Sequence, residues 1–81
     1  MLVKIVTLDR IVLEKEIDSI IVPGIQGQLT ILPHHIPLIC PLTRGKIKIK
    51  SKEEEKIIEI DDGILKVDKE GAKILVFLHG Y

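Results

Sequence analysis

Side chains able to do chemistry are few in these 81 residues, and they are poorly spaced. The hydroxyl nucleophiles are Ser19, Ser51 and three threonines, and Ser51 lies between Lys50 and Lys52. Cys40 could be drawn with His34 or His35 as a thiol–imidazole pair, or with both as a metal cluster. Neither drawing has support. A strand cysteine commonly behaves as a small buried hydrophobe, and a reactive one needs an electropositive setting. Adjacent histidines on a strand point to opposite faces, and a structural zinc site wants four ligands. Gly24-Ile25-Gln26-Gly27 has the spacing of a GxxG loop. Phosphate loops open a helix and KH-type loops join two helices, whereas apolar strand-like runs flank this one, which makes it a turn. The lysines of 46–52 have no interleaved aromatic and run straight into Glu53-Glu54-Glu55, so they form a solvated hairpin face. Asp61-Asp62-Gly63 is turn chemistry before it is a carboxylate pair. No catalytic, metal or cofactor residue is assigned.

The elements that must position these residues are strands. The chain holds 16 Ile, 10 Leu and 6 Val against one Ala, one Phe, one Tyr and no Trp. Branched side chains are stiff in a helix and pack well on a pleated surface, so this composition argues against a helical bundle. Twelve basic residues balance twelve acidic ones. That balance lacks the basic excess expected of a nucleic-acid or anionic-membrane binder. A lone Cys40 makes no internal disulfide and implies no oxidising compartment. Lys4 interrupts the N-terminus too early for a secretory signal. A chain this short buries only ~60% of its unfolded surface, so it leans on a partner.

The pattern predicts eight to ten short strands in one domain, 1–81: an all-β, antiparallel sandwich or barrel. Residues 2–8 and 11–13 form the first two strands, with Glu14-Lys15-Glu16 as a charged bend or bulge. A third runs over 17–22 and ends in Pro23-Gly24, read as a turn whose glycine takes positive φ. Strands over 28–32 and 38–42 follow, with Pro41 implying an edge or a strand end. Residues 46–50 alternate strictly, Ile47 and Ile49 inward, and 56–60 return antiparallel to them. Glu55 and Glu59 then oppose the lysines, an opposite-charge ladder of ~0.2–1 kcal/mol per pair. Residues 64–67 and 72–78 complete the set.

Charge is distributed unevenly. All 24 charged residues lie outside 19–43, a run of 25 residues. Pro23, Pro33, Pro37 and Pro41 prevent that run from being a membrane helix. Two readings stay open: a charge-depleted interface core, or a middle buried on both faces.

The same run, Ile21-Val22-Pro23-Gly24-x-x-Gly27-x-Leu29-x-Ile31-Leu32-Pro33-x-His35-x-Pro37-Leu38, resembles the signature of the epsilon subunit family of F-type ATP synthases. The family reads approximately V-P-G-x-x-G-x-[FLM]-G-[IV]-L-P-x-H-A-P. Asp62-Gly63-Ile64-Leu65-Lys66-Val67 and the strand from Lys73 to Leu78 match its later segments, so the resemblance spans the chain. Thr30 stands for the family's glycine, Ile36 for a small residue, Asp62 for the first of two glycines and Gln28 for a frequent acid. The resemblance implies a ten-stranded sandwich in a rotating central stalk, on the cytoplasmic side of the bacterial inner membrane. One side would pack on the gamma subunit, and the end formed by 24–32 would rest on the c-ring. It places Gln28 near the ring and His35 and Cys40 toward gamma, and counts Leu29, Thr30, Pro37 and Leu38 among the partner contacts. The implied role is mechanical, with no cofactor and no bond made or broken by the chain. The family's inhibitory function belongs to a helical hairpin beyond the last strand, so coupling without inhibition is expected of these residues. A stand-alone β-sandwich binding module is the alternative.

Overall fold

In a computed structural model of the chain, residues 1–78 are described. The regular elements among them are nine strands. These are β1 (Leu2–Val6), β2 (Ile11–Glu16), β3 (Ser19–Gly24), β4 (Gly27–Ile31), β5 (Leu38–Leu42), β6 (Gly45–Lys50), β7 (Glu55–Ile60), β8 (Asp62–Asp68) and β9 (Gly71–Phe77). Hydrogen bonding connects them in the order β2-β1-β9-β8-β5-β3-β6-β7, with β4 on β3. The β5–β3 connection is a single backbone bridge, Gly24 to Leu42. It divides the sheet into two leaves, β2-β1-β9-β8-β5 and β4-β3-β6-β7. One apolar core fills the space between them. Val3, Ile5, Leu65, Val67, Ile74 and Val76 come from the first leaf, and Ile20, Val22, Ile31, Ile47, Ile49 and Ile60 from the second. This is sandwich packing built from alternate residues of each strand, as period-2 patterning requires.

The pairs are antiparallel except β1 with β9, which run parallel. A parallel neighbour needs a long crossover; here β2 to β8 all lie between the two strands, and the pairing closes the first strand onto the ninth. The β6–β7 register sets Lys46 opposite Glu59 and Lys50 opposite Glu55, the predicted ladder, while Lys48 faces Ile57.

Three local readings are corrected. Glu14-Lys15-Glu16 is no bend; it continues β2 in register with β1. The irregularity falls instead where Ile5 pairs Leu13 but Val6 pairs Ile11, which leaves Val12 as the extra residue. Lys15 is accommodated in the strand because its Nζ reaches the Glu54 carboxylate on the β6–β7 loop of the other leaf. Pro23-Gly24 is not a turn. Both residues belong to β3, and the chain reverses at Ile25-Gln26 with positive φ at Gly27, not Gly24. Finally, His34 and His35 lie in the loop before β5 rather than on a strand, so strand alternation does not separate them.

Candidate functional site

The uncharged run 19–43 builds β3, β4 and β5, and its exposure decides between the two earlier readings. Ile25, Leu32, Ile36 and Ile39 stand out in solvent, Ile39 at 72% and Ile36 at 74%. A middle covered on both faces would not expose them. Charge depletion combined with exposed isoleucine is the composition of an interface core.

The β3–β4 hairpin forms one end of this surface. Val22 opposes Leu29, Pro23 opposes Gln28, and Gly24 opposes Gly27. The tip is tied sideways to β5: Ile25 N donates to Pro41 O (3.1 Å) and Thr43 N to Pro23 O (2.9 Å). Pro41, without an N–H, loses no ladder bond here, and its carbonyl also accepts from Cys40 Sγ at 3.3 Å. Gly24 is required by close approach. A Cβ there would lie 2.7 Å from Gly27 O, 3.3 Å from Leu29 Cδ1 and 3.4 Å from Cys40 Sγ. The hairpin and β5 thus meet across one small residue. Between them opens a groove of about 440 Å³, lined by residues 24–29 with Ile39, Cys40 and Pro41.

The seven residues expected to meet partners do not converge. Gln28, Leu29 and Cys40 share this groove. Leu29, Leu38 and Cys40 also pack against the core, and Leu38 and Cys40 sit opposite Val67 and Leu65 on the inner face of β5. The outward residues of that strand are Ile39 and Pro41, which the sequence reading passed over. Thr30 is exposed on β4 opposite Ile21. His35 and Pro37 lie at the far end, with Met1, Glu16 and residues 67–71, around a second cavity of about 570 Å³. There His35 is half-buried, its Nδ1 2.7 Å from Ile36 O and its backbone N–H donating to Leu32 O. Ile25 and Ile36 could have been found by one signal, since each is a bulky apolar residue beside a turn-forming glycine or proline inside an uncharged run; Ile39, between Leu38 and Cys40 on β5, carries no such signal.

Chemistry finds little purchase in this arrangement. Among the described residues no group of three His, Cys, Asp or Glu is placed to hold a metal ion. What the site offers is shape and apolar area, with the side chains of Gln26 and Gln28 as hydrogen-bonding groups.

Comparison with known proteins agrees with this geometry. Residues 1–77 match the family model for the ATP synthase delta/epsilon chain beta-sandwich domain. The chain is 39% identical over 71 residues to an ATP synthase epsilon chain of Dehalococcoides mccartyi, covering 88% of this chain and 51% of the relative. A Moorella thermoacetica ATP synthase epsilon chain is 40% identical over 73 residues, covering 89% and 54%. The chain therefore spans about half the length of these relatives. Its fold is similar to a chain in the mitochondrial ATP synthase of Euglena gracilis (TM-score 0.81, 18% identity, covering 91% of this chain and 48% of that one). It is also similar to one in the central stalk and c-ring of Tetrahymena thermophila mitochondrial ATP synthase (TM-score 0.80, 18% identity, covering 94% and 62%). With residues 1–77 covered by that match and the signature run on the exposed hairpin end, the chain belongs to the ATP synthase delta/epsilon family and carries its β-sandwich domain.

Proposed function

We propose that residues 1–81 form one epsilon-type domain that serves as a non-catalytic part of an ATP synthase central stalk. It couples rotation of the membrane ring to the shaft subunit, gamma. The observation that carries this reading is the exposed, uncharged hairpin end built on the matched fold. In this reading residues 24–28 rest on polar loops of the c-ring, and a side of the sandwich packs on gamma, at the membrane-facing side of the complex. The relatives' names and the stalk and ring complexes that hold its structural neighbours support such an assignment. A rigid sandwich suits the task, because a close-packed core transmits strain instead of absorbing it. Inhibition of hydrolysis is not a property proposed for these strands. The test is co-assembly: the chain mixed with a gamma–c-ring subcomplex of the same synthase is expected to co-elute with it. Failure to co-elute, with the subcomplex intact, would refute the assignment.

A further inference from the structure

Register sets three rows of side chains straight across the outer face of the leaf that holds β8 and β9. The middle row, Val6, Leu75, Ile64 and Pro41, is wholly apolar. On one side of it lie Lys4, Lys73 and Lys66, and on the other Phe77 beside Asp62. Ile64, Phe77 and Asp62 are exposed, and an open groove of about 350 Å³ runs along the lysine and apolar rows. Among the described residues no ion pair reaches Lys4, Lys66 or Lys73. Asp62 accepts a hydrogen bond from Gly63 N through Oδ1 (2.8 Å), which leaves its other oxygen to face outward contacts. An apolar row with cations on one flank and an anion on the other has a specific symmetry. Turned end for end, it is complementary to itself.

We infer that the free chain pairs through this face with a second copy of itself, as a weak two-fold dimer. Sheets stacked face to face lie ~10 Å apart with their strands within ~30° of alignment, and a two-fold contact uses the same patch on both copies. A two-fold axis along the strands would set each lysine row against its own copy, which like charges oppose. An axis across the strands, through the Leu75–Ile64 row, reverses the strand direction instead. Leu75 and Ile64 then meet their own copies. Lys66 stands over Asp62 of the second copy, and Lys73 stands over the ring of Phe77 of the second copy. An ammonium is attracted to a carboxylate and to an aromatic face. Such rim pairs choose the alignment, while the apolar row supplies the attraction. Size sets the strength: the leaf is ~24 Å wide at ~4.8 Å per strand and three rows deep, so the buried area stays below ~1,200 Å², the range of weak, transient contacts. The inference concerns the free chain and does not rest on the central-stalk reading.

A charge swap tests the pairing and its alignment together. By sedimentation velocity from micromolar to ~1 mM chain, the wild type should pass reversibly from monomer to dimer, and added salt should shift it back toward monomer. Lys66→Glu and Asp62→Lys each place like charges across the two-fold, so each alone should dimerise at least ~10-fold more weakly. An equimolar mixture of the two variants should recover the wild-type dimer, because each supplies the charge that the other lacks. Lys52→Glu, on the β6–β7 loop of the other leaf, should dimerise as the wild type does. Melting curves identify any variant that has simply lost its fold, and the recovery in the mixture excludes that cause directly. A wild type that stays monomeric at ~1 mM would overturn the inference and leave the stalk reading intact. So would folded single variants that dimerise like the wild type, or a mixture that fails to recover. A monomer that instead sediments with phosphatidylglycerol vesicles, and releases them on Lys66→Glu, would assign the face to lipid and also overturn the inference.

Discussion

At Gly24 the hairpin tip and β5 come too close for any side chain. A methyl group there meets the Gly27 carbonyl at 2.7 Å, and that oxygen belongs to the paired backbone of β4. Gly24→Ala should therefore destabilise the chain by ~1–3 kcal/mol, the ordinary range for overpacking, as read by urea unfolding. The glycine is plain in the sequence, but its reason is not. Pro-Gly reads locally as a turn, and only the pairing of β3 with β4 and β5 shows that packing rather than φ fixes it. Glu54 gives a second residue-level test. Its hydrogen bond from Lys15 Nζ, and then the Lys15 charge, hold its carboxyl below the usual carboxylate value. A lowered folded value means that the pair stabilises the fold above the unfolded pKa, and that this contribution is lost as pH falls through the folded one. Glu54→Gln should flatten that part of the acid dependence of the melting temperature. Superimposable wild-type and variant curves would show that the exposed pair contributes nothing.

Among the elements, the β6–β7 hairpin was the most legible, because strict alternation specifies both face and register. Its charge ladder, Lys46 with Glu59 and Lys50 with Glu55, follows from that pattern alone. β2 was the least legible. A Glu-Lys-Glu triplet looks like a break in the absence of knowledge that Lys15 spans to Glu54 from an edge strand. β5 was correctly bounded, yet the faces of its residues were not assigned, since five residues with proline in the fourth position carry too little alternation. That matters for testing the site. Leu38→Glu would confuse lost binding with lost packing, because Leu38 lies against the core. Ile39→Thr, outward on the same strand and still β-branched, should leave the melting temperature nearly unchanged and weaken association with the stalk–ring subcomplex several-fold, because it removes apolar area from the surface without setting a charge opposite Lys66. Ser51→Glu, in the β6–β7 loop, should leave that association unaltered.

For the molecule as a whole, the leaves are held by one core, the Gly24–Leu42 bridge and the exposed Lys15–Glu54 pair. Ile74, fully buried on β9, packs in that core, and β9 joins β1 to β8. Ile74→Ala should cost ~2–5 kcal/mol in urea unfolding. The all-β class was readable from composition and turn spacing, with sandwich or barrel left open, but the parallel β1–β9 pairing was not, since no local signal links residues so far apart. The central claim is that the uncharged hairpin end is the ring-facing surface. A photocrosslinking side chain placed at Gln26, and separately at Ser51 in the loop remote from that tip, tests it most directly in the assembled stalk–ring complex. The account predicts products from position 26 that map to the ring's polar loops, and none with the ring from position 51. Ring products from position 51 with none from position 26 would contradict it.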